Sequence, residues 1–559
     1  MPEENVEENV EVSPEHKRQK FPWKSVVGGV LLLGLGTGVV LAEPAVRNAV
    51  GSASARAEAG DFNAPTAEVP SADTILSCVA TPQLAAGGGS TDSQFAPDTT
   101  KQTTGISASV LSDAAARIPG ISVTSIAEQK TGGNNEPGTN QQAAPKNLTK
   151  RIPDEQASQV LSSGADGTTN IIAKSVADKE ATFAKLAVQS LGNQPSLVSA
   201  QRTTLSADGD LAGFSSAPCV APSHDQWLVG ASTAVENTAI LTISNPTTSA
   251  ATVTVRAYGS TDQEPNVGTL DRLVIGPGEQ YSTLLGGIAP DDPALTLRVQ
   301  SQGGAVSASI QQSTLRGLTP AGIDYVMSGA RLANTAVIPF VWVQPTADST
   351  SLGAGTDGKN SASQLMITVP GSADAKVTAT ATGADGKSHK IPVPSTLKAG
   401  RTAAVSLAEL PAGSYSVRVI SDRSVVASAR SVRGKVATAP HDAAFTPTAQ
   451  RLSQRQLVTL PAGGKPYVLF STDDAAAKVS LRTLGADGKL GKAINYDVAA
   501  NGTLLVDPSA FGSARSLLLD TSGGAVYGGG LSFEGTTGIT TFAIQPSTNG
   551  TQGIPVDIP

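Results

Sequence analysis

The chain has 559 residues, which is more than one hydrophobic core usually serves, so several domains are expected. Charged residues make up only 16% and aromatic residues 4%, a composition that favours β-rich modules and connectors over a large helical enzyme. The net charge of -7 is small for this length and no dense Lys/Arg patch with interleaved aromatic residues occurs, which excludes nucleic acid as the main partner.

The N-terminal segment predicts attachment to the cell membrane. Residues 1–25 form an acidic leader followed by a basic cluster, and residues 26–42 are an uncharged run rich in Val, Leu and Gly, which is typical of a transmembrane helix. Because the basic cluster precedes the run, the positive-inside rule predicts a cytoplasmic N-terminus and an extracytoplasmic remainder in a single-pass protein. The alternative is a cleaved signal peptide, since Val40 and Ala42 fit the small-residue cleavage pattern.

The region after the anchor is predicted to be irregular. Residues 43–65 are expected to form a stalk, and residues 66–221 an irregular N-terminal region. It contains a low-complexity insert at 87–150 that is expected to be partly disordered, although apolar runs such as 106–111 leave short strands open. The segment Val176–Leu191 can be drawn as a helix with an apolar face.

The chain has two cysteines, Cys78 and Cys219, both in the part predicted to be exported. An oxidising compartment favours a disulfide between them, and their similar apolar surroundings suit two neighbouring strand ends. In the chain-entropy model, closing a loop of roughly 140 residues stabilises by about 5 kcal/mol. The alternative is a pair of buried free thiols. Two cysteines without nearby histidines cannot complete a tetrahedral zinc shell, so no metal is expected.

Short strands with alternating apolar and polar residues recur from Gln226 onwards, which favours a β-sandwich or barrel. Val253, Val255 and Ala257 alternate with polar neighbours, and turns such as 276–278 (Gly-Pro-Gly) separate the strands. One face of each strand is therefore expected to pack and the other to meet water.

This strand pattern repeats along the chain, in three visible copies. The copies share an equivalent strand, at 253–259, 377–383 and 479–485. Each copy has about the size of one immunoglobulin-like sandwich. Modules are therefore predicted at 222–335, 336–438 and 439–559. The expected fold is mostly β, with tandem immunoglobulin-like β-sandwich modules after one N-terminal transmembrane helix and a partly disordered region.

The motifs that suggest catalysis are weak. Ser223-His224-Asp225 are contiguous, and successive residues of a strand point to opposite faces, so they are not expected to form a catalytic relay. Pro440-His441-Asp442 begins the third predicted module in a related way, which favours module-boundary turns in which Asp or His bonds the local backbone. No catalytic residues, cofactor or metal are predicted, and we expect a non-enzyme.

Three segments carry a resemblance to a known family: Cys219-Val-Ala-Pro-Ser-His-Asp-Gln-Trp227-Leu-Val-Gly230, Leu241-Thr-Ile-Ser-Asn-Pro246 and Gln311 to Asp324. They resemble an uncharacterised family of actinobacterial membrane-anchored envelope proteins, with a domain of unknown function. The resemblance covers mainly residues 219–330 and implies a cell-envelope location. Members look like neighbours of glycosyltransferase genes, which implies an accessory role around envelope glycans.

The expected function is a non-catalytic, membrane-anchored module that binds or scaffolds envelope glycans or proteins. A partner surface is predicted around Trp227, Arg316 and Asp324, because the Arg-Gly-Leu-Thr-Pro loop is polar, rich in turn residues and adjacent to alternating strands. The alternative for these three residues is packing within loops.

Two other functions stay open at the level of sequence. The first is a surface adhesin or mechanical spacer. The second is a carbohydrate-active or peptidase-like enzyme with its site in 66–221, which requires a pair of carboxylates roughly 5 to 9.5 Å apart. The acidic residues considered for that pair are Asp154, Glu155, Asp166 and Asp178.

Overall fold

The computed structural model describes residues 66–67, 72–84, 101–128, 144–159, 172–179, 182–261, 265–354, 361–545 and 554–555. The fold is mostly β, as predicted, and the α-helices of the described residues are α1 (Asp154–Ala157) and α2 (Thr346–Leu352). In this part of the chain no helix has the length and apolar character needed to cross a membrane. The predicted anchor at 26–42 lies outside the described residues.

The chain divides into two compact units. One contains Met1–Ala67 and Ile554–Pro559, where strand β1 (Thr66–Ala67) pairs antiparallel with Ile554–Pro555. The other contains Glu68–Gly553, and all further elements belong to it.

The larger unit contains, in its described residues, four consecutive copies of one strand arrangement, which we call repeats A to D. Repeat A consists of β2 (Thr74–Cys78), β3 (Gln102–Leu111), β4 (Ile121–Ser125), β5 (Ala127–Glu128), β6 (Lys146–Asn147), β7 (Ala173–Asp178), β8 (Ala184–Val188), β9 (Val198–Ser206) and β10 (Gly213–Pro218). Repeat B consists of β11 (Asp225–Ala231), β12 (Asn237–Ser244), β13 (Ala251–Tyr258), β14 (Leu273–Ile275), β15 (Glu279–Leu284), β16 (Leu295–Gly303), β17 (Ser307–Arg316) and β18 (Thr319–Met327).

The other two copies follow directly. Repeat C consists of β19 (Ala333–Val343), β20 (Gln364–Val369), β21 (Ala375–Gly383), β22 (Ser388–Ile391), β23 (Thr396–Leu397), β24 (Arg401–Ser406), β25 (Gly413–Arg433) and β26 (Asp442–Pro447). Repeat D consists of β27 (Arg455–Thr459), β28 (Lys465–Thr472), β29 (Ala477–Leu484), β30 (Ile494–Val498), β31 (Thr503–Val506), β32 (Ser516–Gly523), β33 (Val526–Glu534) and β34 (Gly538–Ala543). The 3-10 helices are Gly268–Arg272, Leu285–Gly287 and Pro508–Ala510.

Every repeat pairs its strands in the same order. Repeat D has one sheet with the order β27-β32-β29-β30 and a second with the order β31-β28-β33-β34. Repeats A and B follow the same two orders, with β5 added parallel to β15 at the edge of a repeat B sheet. In repeat C, the long strand β25 takes part in both sheets, because its first half pairs with β19 and β21 and its second half with β20 and β26.

Alternating side chains place one hydrophobic core between the two sheets of each repeat. In β29, Val479 and Leu481 are fully buried while Lys478 is exposed, as the period of two in a strand requires. These side chains pack in one cluster with Phe470 of β28, which belongs to the other sheet of repeat D. The same arrangement recurs in repeat A, where Leu186 of β8 and Ile106 of β3 share a core.

The structure corrects the prediction for residues 66–221. The described residues of this region form a fourth copy of the arrangement, and β3 lies within the predicted low-complexity insert at 87–150. The predicted helix Val176–Leu191 is wrong, because β7 and β8 occupy that segment. Its Ala-rich sequence matches a helical period, but alternate residues of β8 are buried, as in a strand packed on one face.

The three copies found in the sequence correspond to β13, β21 and β29, which hold the same place in the order of their sheets. The limits of the predicted modules stay a prediction. Strand β26, which lies within the third predicted module, pairs with β25 of repeat C.

A disulfide joins the two sheets of repeat A. Cys78 ends β2, and Cys219 directly follows β10, with 4.2 Å between their Cα atoms. Both cysteines are buried in the core that the two sheets share.

Buried hydroxyl pairs connect neighbouring repeats. Thr296 of repeat B lies 2.7 Å from Thr368 of repeat C, and Ser416 of repeat C lies 3.0 Å from Ser471 of repeat D, measured between side-chain oxygens. A pair at the same position in the fold, separated by 2.6 Å, joins Ser516 of repeat D to Ser109 of repeat A. Because the last repeat meets the first as consecutive repeats meet each other, the four repeats close into a ring.

Candidate functional site

The last strand of each repeat, β10, β18, β26 or β34, faces the axis of the ring, and we call these four the inner strands. Neighbouring inner strands contact each other around the axis, including β34 with β10. The carboxylate of Asp442 lies among them and accepts hydrogen bonds from four backbone N–H groups. The donors are Phe214 (2.8 Å), Ile323 (3.1 Å), Ala443 (2.9 Å) and Ile539 (3.1 Å), one from each repeat.

Glycine makes this close approach possible. Each donor outside repeat C directly follows a glycine, and Asp442 takes the equivalent position in repeat C. A Cβ atom on Gly213 would lie 2.6 Å from the Ile323 side chain and 3.0 Å from Oδ1 of Asp442. On Gly322, which has a φ of +125°, a Cβ would lie 2.7 Å from the backbone nitrogen of Ala443. Larger residues would therefore push the inner strands apart.

Two buried carboxyl groups lie at this centre. Burial raises the pKa of Asp442 to about 7, although the four N–H groups that bind the carboxylate act in the opposite direction and lower it. Burial also raises the pKa of Asp324 well above its usual range, and the nearby Asp442 adds to the rise. The Asp324 carboxyl accepts hydrogen bonds from the N–H of Phe445 and the hydroxyl of Thr540, both at 3.3 Å, and so ties repeat B to repeats C and D.

Basic side chains surround His441, the residue before Asp442. Burial and, next, the guanidinium of Arg316 lower the pKa of His441 to about 4, which leaves its ring neutral at neutral pH. Burial and Arg316 also lower the pKa of Arg430 to about 10. The Nη1 of Arg316 donates to the carbonyl of Leu352 at 2.9 Å, at the end of α2. This cluster belongs to the interior of the junction between repeats B and C.

A cavity of about 580 Å³ lies where the inner strands end, and we call it the axial cavity. Its wall includes residues from the segments that follow each inner strand. These are Cys219–Ser223 after β10, Ser328, Gly329 and Arg331 after β18, Gln450 after β26 and Ile544 and Gln545 after β34. Asp442 lies at the first residue of β26, so it marks the opposite end of the inner strands. The volume falls within the range of about 300–1,000 Å³ that is typical of ligand pockets.

The residues of the predicted partner surface are buried or part-buried. Trp227 is only 3% exposed and packs against Tyr258, with 5.6 Å between ring centroids, while the guanidinium of Arg298 covers its ring. Asp324 is 1% exposed at the ring axis. These two side chains lie on β11 and β18 and not in a loop, and both are buried. Arg316 is part-buried at the end of β17.

The predicted turns have different outcomes. At Ser223-His224-Asp225, the Ser223 hydroxyl bonds the backbone of Asp225, whereas the prediction gave this role to Asp or His. The Asp225 carboxylate pairs with Arg298 and the His224 ring lies beside Ser301, so the three side chains form no relay. At 440–442, the Asp442 carboxylate bonds backbone from all four repeats, well beyond the expected local turn.

Two of the four acidic residues considered for an enzyme bond basic partners. Asp154 on α1 pairs with Arg151 at 3.2 Å, and Asp178 on β7 pairs with Lys146 at 2.5 Å. Asp166 lies outside the described residues. In the part of the chain that the structure describes, no group of three or more His, Cys, Asp or Glu residues is placed to hold a metal ion.

Sequence reasoning missed both Asp442 as the centre and the axial cavity. One signal was present for the first: Asp442 stands where the equivalent strands of the other repeats have Gly213, Gly322 and Gly538. That comparison requires repeat A to be identified first. The cavity has no motif of its own, because its wall combines short segments from all four repeats.

Comparison with known proteins gives a family without an assigned function. Residues 172–509, which make up more than half of the chain, match a family of unknown function, DUF5719. No curated protein matches the chain. The match begins at the last strands of repeat A, covers repeats B and C and continues into repeat D. The chain therefore belongs to the family of unknown function DUF5719.

Proposed function

We propose that the chain is a non-catalytic protein of the cell envelope that binds envelope glycans or proteins in the axial cavity. In this proposal, residues 26–42 anchor it in the membrane with the N-terminus in the cytoplasm, and the four repeats are immunoglobulin-like sandwiches outside the membrane. The sandwich description rests on two sheets around one core in each repeat. The envelope location and the actinobacterial origin rest on the resemblance of residues 219–330.

The observation that carries the binding role is the convergence of four inner strands on one cavity. The Asp442 carboxylate binds one backbone N–H group of each inner strand, and the residues after each inner strand contribute to the cavity wall. A ligand site built on a rigid framework costs little ordering free energy when the ligand binds. The ring therefore supplies a preorganised pocket.

The disulfide supports an extracytoplasmic location. Cys78 and Cys219 are joined, and disulfides persist mainly in oxidising compartments. Cys219 also lines the axial cavity, so the crosslink holds part of its wall. In the reducing cytoplasm the disulfide would be broken, and this part of the wall would lose its crosslink.

The test is binding of purified envelope glycans and envelope proteins to the oxidised full-length chain in detergent. Gln450 is exposed at the cavity wall, so Gln450→Trp fills the cavity without disturbing a core. Gln302 is also exposed, on β16 outside the wall, which makes Gln302→Trp the matched control. We expect wild-type chain and control to bind and Gln450→Trp to lose at least tenfold in affinity.

The other outcomes separate the alternatives. Equal binding by both tryptophan variants would move the site away from the cavity. No binding by a folded chain would favour the spacer, and conversion of a glycan or peptide into product would favour the enzyme.

A further inference from the structure

The side chains of the axial cavity indicate the chemistry of its ligand. Its polar wall is dominated by uncharged hydroxyl and amide groups, contributed by Ser196, Ser199, Gln201, Ser223, Gln226, Ser328, Gln450, Thr459 and Gln545. Such groups both donate and accept hydrogen bonds, which suits a ligand that carries many hydroxyl groups. We propose that the axial cavity binds a short oligosaccharide that carries a carboxylate, which Arg331 recognises. This inference rests on the proposed binding function and names its ligand class.

Part of the polar wall is already occupied by internal hydrogen bonds and holds the cavity in shape. The Gln226 amide donates to the carbonyl of Val306 at 2.8 Å and accepts from the N–H of Ala308 at 3.1 Å. Thr459 exchanges two hydrogen bonds with Ser199, at 2.9 and 2.8 Å, which join repeat D to repeat A. These side chains position the wall and are not the ones that meet a ligand.

Two amides of the wall are available. Gln450 is exposed and Gln545 half-buried, and among the described residues neither side chain has a hydrogen-bond partner. They follow the inner strands of repeats C and D, so they reach the cavity from two different repeats. Each amide offers two N–H donors and one carbonyl acceptor, which match the hydroxyl groups of a sugar ring.

The charges of the wall select an acidic ligand. Asp225 and Arg331 are the charged residues of the wall. The Asp225 carboxylate is neutralised by Arg298, which donates two hydrogen bonds to it at 2.8 and 2.9 Å. Arg331 is exposed and has no ion-pair partner among the described residues, so the wall carries one available positive charge. A guanidinium binds a carboxylate through two parallel hydrogen bonds, which favours an acidic sugar over a neutral one.

The experiment compares two tetrasaccharides that differ in charge and in the methyl groups that remove it. Tetragalacturonate carries carboxylates, and its methyl ester keeps the rings and hydroxyl groups without them. Binding to the full-length chain is measured by calorimetry at low salt. We expect the wild-type chain to bind the acid at least tenfold more tightly than the ester.

Arg331→Gln should remove this preference by weakening binding of the acid about tenfold while leaving the ester unchanged. Arg482→Gln, at an exposed arginine of β29 outside the wall, is the matched control and should behave as wild type. Gln450→Trp should weaken binding of both sugars. Equal binding of acid and ester, or an acid preference that survives Arg331→Gln, would overturn the carboxylate assignment.

A third probe, a pentaserine peptide, separates glycan from protein ligands. Binding of the peptide without either sugar would overturn the oligosaccharide class but keep the cavity as a binding site. If Gln450→Trp still binds envelope extracts like wild type, the proposed site itself fails, whatever the tetrasaccharides do.

Discussion

Asp442 supplies the hydrogen-bond acceptors that the backbone N–H groups of four identical repeats would lack. Four inner strands approach so closely that their N–H groups at one level point towards the axis, and buried N–H groups need acceptors. Three of these strands have glycine at the equivalent position and offer no acceptor, while Asp442 supplies two carboxylate oxygens for four donors. A fourth glycine would leave these donors unpaired.

The pH dependence of stability tests the state of this carboxyl group. The folded pKa of about 7 exceeds the unfolded value near 3.8, so the contribution of Asp442 is fully present below pH 3.8 and is lost as the pH rises through 7. Asp442→Asn stays neutral at every pH. The free energy of unfolding of the variant minus that of the wild-type chain should therefore increase as the pH rises from 4 to 8, by at most about 4 kcal/mol.

The comparison with the variant is necessary because His441 titrates in the opposite sense. Its lowered pKa of about 4 makes stability fall as the pH falls below 6.5, and this effect cancels in the difference between wild type and variant. Denaturant unfolding at several pH values measures that difference, with exposed Asp271→Asn as control. If this difference instead decreases as the pH rises, the four N–H groups lower the pKa of Asp442 by more than burial raises it.

At the scale of elements, substitutions in the buried hydroxyl pairs test how much these contacts between repeats contribute to stability. Thr368 lies 2.7 Å from Thr296 and 3.0 Å from Thr402, measured between hydroxyl oxygens. Thr368→Val keeps the shape but leaves Thr296 without this partner, so we expect a loss of about 1–3 kcal/mol in the free energy of unfolding. Thr378→Val, on the exposed face of β21, should cost less than about 0.5 kcal/mol. Equal effects from both substitutions would contradict a role for the pair.

The disulfide is a second element-scale test. Cys78 and Cys219 are separated by 141 residues in sequence, and their bond holds the ends of β2 and β10 together. Replacing both by serine should lower the free energy of unfolding by about 2–5 kcal/mol in urea. The oxidised wild-type chain and the same chain after reduction provide the reference. A double variant as stable as oxidised wild type would show that the core of repeat A holds without the crosslink.

The sequence predicted one equivalent strand in each of repeats B to D, because β13, β21 and β29 alternate clearly and are followed by turn residues. Repeat A could not be identified in the same way. Its equivalent strands are separated by long segments, and β8 has an Ala-rich sequence that also fits a helix. Trp227 and Asp324 were predicted at a surface because the Arg-Gly-Leu-Thr-Pro loop is polar and rich in turn residues. Both side chains lie on strands instead, and strand alternation does not tell which face meets another repeat.

At the scale of the whole larger unit, ring closure produces what the separate repeats lack. The axial cavity needs the ends of all four inner strands, and the Asp442 site needs a donor from each repeat. The strand patterns in the sequence report on each repeat separately. They predict the repeats but carry no signal for the contact between the last repeat and the first. The proposed binding function depends on this closure.

Hydrogen exchange monitored by mass spectrometry tests the closed ring most directly. The measurement compares the full-length wild-type chain with Asp442→Ala, using Asp271→Ala as control, in the four peptides that contain Phe214, Ile323, Ala443 and Ile539. Because one carboxylate binds all four N–H groups, the variant should exchange faster in all four peptides, although they come from four different repeats. Faster exchange in the Ala443 peptide alone would contradict a ring that closes on Asp442.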